Sequence, residues 1–328
     1  MTRTAIVAAM PAELRPLVRG WQRERRGNGN AGGVDLWRWR FDDGEWIAAC
    51  AGAGVEAATR AFAEVERAFA EAEEADESPR FQKRNLGHPG FVDSHPNDKY
   101  KDVARVGHPG FVDLVISTGW AGALSEELGG GRSYWVSDVI DARSGERFAS
   151  NLKNSERDGN SRSHPSDKNK DVARVGHPPG DLADSPPRSQ NRDLGHPDLW
   201  LVTSPKVADA AEKQRLAAAY GAGLVDMEAA GIARLAQMRG IPFYCVKGIS
   251  DGYRDKLPDF NRFISANGKF RLIRFILFAL VRPWHWLALA RMGENSRKAA
   301  ESIKESILDF LDERAYIIER NGYPDLKR

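Results

Sequence analysis

The chain has 328 residues, 48 Lys plus Arg against 46 Asp plus Glu, and 41% apolar side chains, a composition that supports a sizeable core and excludes wholesale disorder, collagen and coiled coil. A net charge of +2 over this length offers none of the basic surface that nucleic acid requires. Cys50 and Cys245 are too few for a disulfide framework and too far apart for a metal-ligand pair, so a reducing cytoplasm and no bound metal are expected.

In chain order, Thr4 to Ala9 predicts a short apolar strand. Pro11, Glu13 and Arg15 follow too closely for a secretory signal, and Pro11 suits the first position of a helix. Val34 to Phe41 and Glu45 to Cys50 predict a hairpin about Asp42-Asp43-Gly44. The glycine-rich Ala51 to Gly54 leads into a helix to about Ala72. Strands are predicted at Leu114 to Thr118, Tyr134 to Ile140, Trp200 to Thr203, Leu224 to Val225 and Phe243 to Ile249, with helices at Pro205 to Ala219 and Glu228 to Arg239. This alternation implies an α/β fold whose central, largely parallel or mixed sheet is covered by helices on both faces. Binding sites in such folds gather at the carboxyl ends of the strands.

Two tracts interrupt the pattern, at about 78–110 and 149–198. Residues 94–109 and 163–178 are identical at fourteen of sixteen positions, and both tracts are rich in Pro, Gly, Asn, Asp and Lys with no apolar period. They read as low-complexity loop insertions in a single domain of roughly 245 other residues, followed by a helical region over 269–328. His88, His95, His108, His164, His177 and His196 all precede proline within the tracts, so repetition explains their number without a metal site. The seventh histidine, His285, lies between Trp284 and Trp286.

Carboxylates mark three predicted strand ends: Glu13, the pair Asp226 and Glu228, and Asp251. Singly, each suits a helix start or a turn, as Asp226 would in capping the following helix. Converging on one crevice, they provide the setting in which one becomes an acid and another a base.

The order Met10-x-x-Glu13, Gly52-x-Gly54, Ser117-Thr-Gly-x-Ala-Gly122, Val225-Asp-Met-Glu-Ala-Ala230 and Ile249-Ser-Asp251 resembles the nucleoside phosphorylase superfamily, especially its methylthioadenosine/S-adenosylhomocysteine nucleosidase branch. The resemblance covers nearly all of the chain outside the tracts. Leu257-Pro258 and the stretch Arg282 to Arg291 are similar to the hopanoid-associated phosphorylases. The resemblance implies a three-layer αβα sandwich with a mixed sheet and a homo-oligomer, commonly a dimer. It further implies cleavage of an adenosine-type purine nucleoside, with a hopanoid-linked one as the specialised case.

By the same resemblance, Asp251 would protonate N7 of the departing purine, Glu228 would accept the ribose hydroxyls and Met227 would pack on the sugar. Glu13 would activate water. Ser250 falls among the substrate-contacting positions, and the amides of Ala121, Gly122 and the Gly52 to Gly54 loop would hold the nucleophile or hydroxyls. No cofactor is implied, apart from inorganic phosphate as co-substrate if the enzyme is a phosphorylase. Arg15 and Arg19 are then the candidate phosphate cations, against a solvated helix face. Glu13 favours water, since a carboxylate repels a phosphate dianion.

Three features depart from the family pattern. Trp120 stands where the nucleosidases carry a small hydroxyl residue, so either the nucleophile pocket is altered or the indole packs outward. Gly252 to Lys256 replaces a frequent second acid, and the base-stacking aromatic is assigned only to the region Trp200 to Ser204. A member of the fold that binds without turnover is the alternative these departures leave open. Finally, residues 269–291 combine apolar positions with Lys269, Arg271, Arg274, Arg282, Arg291 and two tryptophans. That stretch suits either peripheral contact with a membrane or core and subunit packing.

Overall fold

The computed structural model describes residues 2–26, 33–41, 44–82, 112–152, 199–265 and 268–321, with main chain alone for 74–82 and 314–321. Asp42 and Asp43 of the predicted turn, the six His-Pro histidines and most of both tracts lie outside the described residues.

The strands are β1 (Thr2–Ala8), β2 (Gln22–Arg26), β3 (Val34–Phe41), β4 (Gly44–Cys50), β5 (Leu114–Ser117), β6 (Trp120–Ala123), β7 (Ser133–Trp135), β8 (Asp138–Asp141), β9 (Arg147–Ala149), β10 (Trp200–Thr203), β11 (Leu224–Asp226) and β12 (Phe243–Asp251). The helices are α1 (Pro11–Leu14), α2 (Val55–Gln82), α3 (Ala210–Tyr220), α4 (Ala229–Arg239), α5 (Leu272–Leu280) and α6 (Trp286–Asn321). One sheet runs β2-β3-β4-β1-β5-β12-β6-β11-β10-β8-β9, with β7 also on β12. It is mixed: β1 is parallel to β4 and β5, whereas β6 meets β11 antiparallel.

Period-two alternation in the strands builds the three layers. Ala5, Val7, Ile47 and Ala49 face a core shared with α2 and α4, while Ile6, Ala8, Ala48 and Cys50 face α1 and α6. Val202 and Val225 pack against Leu216 of α3. All nine residues of β12 are buried, so this central strand has no solvent face.

Several boundaries differ from the sequence reading. The predicted strand Tyr134 to Ile140 is two strands, because Val136 donates to Cys245 of β12 and Ser137 to Leu199 beside β10. The predicted helix from Pro205 begins at Ala210, where Asp209 accepts a hydrogen bond from Glu212 at 2.8 Å and caps it. Helix α2 continues ten residues past Ala72, into the range assigned to the first insertion. At the second, β9 and its extension belong to the sheet: Asn151 donates to the Phe243 carbonyl, and its side chain accepts from the Phe243 amide at 2.9 Å. The strand β2, a charged edge, was not expected from Gln-Arg-Glu-Arg-Arg, which has no apolar alternation.

Candidate active site

Glu13 lies one turn after the end of β1 and folds back on its own loop. Its Oε2 accepts from the amides of Ala9 at 2.9 Å and Met10 at 2.7 Å, and its Oε1 accepts from the amide of Trp120 at 2.9 Å. Burial raises its pKa against the opposing pull of those amides and of Lys247. Gly119 makes the approach feasible. It has φ +121°, and a Cβ there would sit 3.0 Å from the Glu13 carboxyl carbon.

Glu228 heads α4, immediately after β11. Its Oε1 accepts from Gly54 at 2.8 Å and its Oε2 from Met227 at 3.1 Å, so the glycine loop after β4 holds the carboxylate that follows β11. Gly52, at φ +115°, anchors the same loop by donating to the Ala9 carbonyl at 3.0 Å. Burial first, then the charges of Asp226 and Glu13, push the Glu228 carboxyl up to about 8, with Lys247 and the Gly54 amide opposing. Met227 beside it is half-buried.

Asp226 takes the capping role. It accepts from Ala229 at 2.9 Å and from the Thr203 hydroxyl at 2.7 Å, and it pairs with Lys247 at 2.9 Å where neither side chain is exposed. Burial alone would lower the Lys247 pKa; Asp226, Cys245 and Glu228 outweigh it and raise it. Lys247 also donates to the Thr118 carbonyl at 3.0 Å, tying β12 to the end of β5.

Asp251 ends β12 at a bulge. Ile249 pairs with Ala121 and Asp251 with Gly122, leaving Ser250 as the extra residue, which re-aims the strand end. The Ser250 hydroxyl donates to Asp251 Oδ1 at 2.6 Å and lies 3.3 Å from the Ala121 carbonyl. The other oxygen of Asp251 forms an ion pair with Lys213, whose ammonium also donates to the Gly252 carbonyl at 2.7 Å. Lys213, on α3, is buried, and a Cβ on Gly122 would stand 3.0 Å from its Cε.

The structure thus gathers Glu13, Glu228 and Asp251, with Gly52, Gly54, Met227, Ser250, Ala121 and Gly122, around the carboxyl ends of β1, β11 and β12. Strand β6 links the two ends of the site, since its first residue binds Glu13 and its third abuts Asp251. Ala121 and Gly122 are ladder residues of β6 rather than members of an open loop. The Trp120 indole packs away from Glu13, donating to the Ser296 carbonyl of α6 at 3.0 Å. Arg15 and Arg19 are not brought in: both are exposed and make no ion pair among the described residues. Trp200 is half-buried and has the Arg147 guanidinium over its ring at 3.9 Å.

Lys247 and Lys213 are the residues that the sequence reading missed, and of the two Lys213 left a trace. Ala-Ala-Glu-Lys-Gln-Arg-Leu reads as a solvated helix, and the available signal was the i, i+3 relation that puts Lys213 on the face of buried Leu216.

Comparison with known proteins agrees with this frame. The structure resembles the 5′-methylthioadenosine/S-adenosylhomocysteine nucleosidase of Helicobacter pylori, with a TM-score of 0.52, 15% identity, and coverage of 95% of this chain and 98% of that one. Futalosine hydrolase of Helicobacter pylori gives a TM-score of 0.51 at 14% identity, covering 95% and 98%. The 5′-methylthioadenosine nucleosidase of Arabidopsis thaliana gives 0.52 at 14% identity, covering 95% of each chain. At these identities the likeness is one of fold. Among functionally curated proteins none matches the chain in sequence. A family model does match, over residues 3–272, and the chain belongs to the phosphorylase superfamily.

Proposed function

We propose that the protein cleaves the N-glycosidic bond of a purine nucleoside of the adenosine type, with water as the nucleophile. The observation that carries this reading is the convergence of three buried carboxylates from separate strand ends, each held by a different set of donors: Glu13 by three amides, Glu228 by the Gly54 loop, and Asp251 by Ser250 and Lys213. In the proposed reaction the bond between the anomeric carbon and the base breaks with its electrons passing to the purine. Asp251, acting as the general acid, gives its carboxyl proton to N7. Glu228 accepts the ribose hydroxyls as charge develops on the sugar. Water attacks the anomeric carbon and passes its proton to Glu13.

The charge of the site supports water over phosphate. Four buried acids, Glu13, Asp226, Glu228 and Asp251, face two buried lysines, and each lysine is already paired with an aspartate. No unpaired buried cation is therefore left there, among the described residues, to hold a phosphate dianion. The structural neighbours bear the names nucleosidase and hydrolase, in keeping with this choice.

The 5′ substituent we propose is apolar, as in a hopanoid-linked adenosine, and the sequence similarity over Arg282 to Arg291 supports it. Base release from methylthioadenosine, S-adenosylhomocysteine, inosine and a 5′-alkyl adenosine, each with and without phosphate, tests the reading. Phosphate-independent release is expected, fastest on the 5′-alkyl compound. Release only with phosphate, accompanied by a sugar phosphate, would replace water by phosphate. No release from any compound would favour the binding-only alternative.

A further inference from the structure

Nine of the twelve large apolar side chains exposed on the described surface fall within sixteen residues, Leu272 to Leu287. Helix α5, Leu-Ile-Arg-Phe-Ile-Leu-Phe-Ala-Leu, has no buried residue although Arg274 is its only polar member. Its inner side is satisfied, since Phe275 and Phe278 meet Phe263 with ring centroids 5.4 and 5.2 Å apart. The outer side presents Ile273 at 76% exposure and Leu277 at 61%. At the following corner Trp284 is 70% exposed, and α6 opens with Leu287 at 72%. A helix that is apolar all round normally lies inside protein or lipid, and a patch of this extent marks an interaction surface.

The charge around the patch indicates the occupant. From Phe260 to Gly293 there is no acidic residue, while Arg262, Lys269, Arg271, Arg274, Arg282 and Arg291 are all basic, in a chain whose net charge is only +2. A second copy of the same face would oppose like charges. By composition neither tract adds net negative charge, since each contains at least as many basic as acidic side chains. An anionic lipid surface supplies both missing partners, hydrocarbon for the apolar side chains and negative headgroups for the arginines. No single described helix is long and apolar enough to cross a bilayer, and α5 and α6 meet at 107°, a geometry suited to lying in the interface.

We propose that the α5–α6 corner docks the protein on an anionic membrane surface. Arg282 shapes the corner, stacking on Phe278 at 3.9 Å and donating to its carbonyl at 3.1 Å. The root of the patch is joined to the site. The Gly268 carbonyl accepts from Ala53 at 2.8 Å, and Ala53 lies in the loop whose next residue, Gly54, holds Glu228. A docked corner therefore sets the ribose-binding loop close to the lipid surface.

The test is sedimentation of the full chain with vesicles of phosphatidylcholine alone or with one third phosphatidylglycerol, at low and high salt. Pelleting with the anionic vesicles at low salt, reduced at least tenfold in Ile273→Ser/Leu277→Ser/Trp284→Ser and several-fold in Arg271→Gln/Arg274→Gln, is expected. Thermal melts verify that both variants fold, and either one alone suffices for the decision. The proposal is overturned if the chain stays in the supernatant with anionic vesicles at low salt, or if both variants pellet as the parent does. It is equally overturned if the triple variant changes only the sedimentation mass, which would make the face a contact between copies.

Discussion

Two regions of this molecule invert the usual partition of side chains in opposite directions. Around the carboxyl ends of β1, β11 and β12 four acids and two lysines are buried, whereas the α5–α6 corner leaves nine large apolar side chains in solvent. Each inversion costs stability in isolation, and neither is needed to close the sheet. The difference lies in how they are compensated. The buried acids are satisfied internally, by amides, hydroxyls and lysines; the outer side of the apolar corner has no partner among the described residues and calls for an external one.

The largest effect that would break this contrast lies at Asp251. Asp251→Asn keeps the shape and the Ser250 contact but removes the acid, so base release should fall by about two to four orders of magnitude in steady-state assays with the melt preserved. A variant that kept its rate would remove Asp251 from the chemistry. Lys213→Met comes next. It strands a largely buried carboxylate, and a loss of about 3 kcal/mol in denaturant unfolding is expected, partly recovered when Asp251→Asn is added.

A subtler effect concerns pH. The Glu228 carboxyl titrates near 8 in the folded chain against an ordinary value of 4.5, so the folded state binds the proton more tightly than the unfolded state. Stability from this group is therefore lost as pH rises across that interval. Relative to Glu228→Gln, the parent should lose stability from about pH 4.5 to about pH 8 in paired melts. Parallel curves would mean that the carboxylate is stabilised as an anion by Gly54 and Lys247. The smallest effect belongs to the corner, where Ile273→Ser and Leu277→Ser should each change unfolding free energy by no more than about 0.5 kcal/mol. A larger loss would show that α5 is packed against something and would end the contrast.

The legibility of the chain in sequence follows the same division. Strands buried on both faces, such as Phe243 to Ile249, and the acid-bearing strand ends stood out because apolar runs and turn chemistry are local signals. What escaped depends on long-range partners. Trp120 to Ala123 reads as a loop until β11 and β12 flank it, and Val136 and Ser137 read as mid-strand until their amides turn to different neighbours. Asp226 and Asp251 were visible as acids, but Lys247 and Lys213, which hold them, lie 21 and 38 residues away in the chain, and no spacing ties either lysine to its aspartate. Arg15 shows the reverse case. Its position two residues after Glu13 placed it near the site in sequence, while the turn of α1 buries Glu13 and leaves Arg15 in solvent.

The central claim is that the buried carboxylates break an N-glycosidic bond without phosphate. Its most direct test is the time course of free-base appearance from 5′-alkyl adenosine in phosphate-free buffer, for the parent chain and Asp251→Asn side by side, with nucleoside binding measured for both. The account predicts steady release by the parent, and binding with almost no release by the variant. Equal release by both chains, or release by the parent only after phosphate is added, would contradict it.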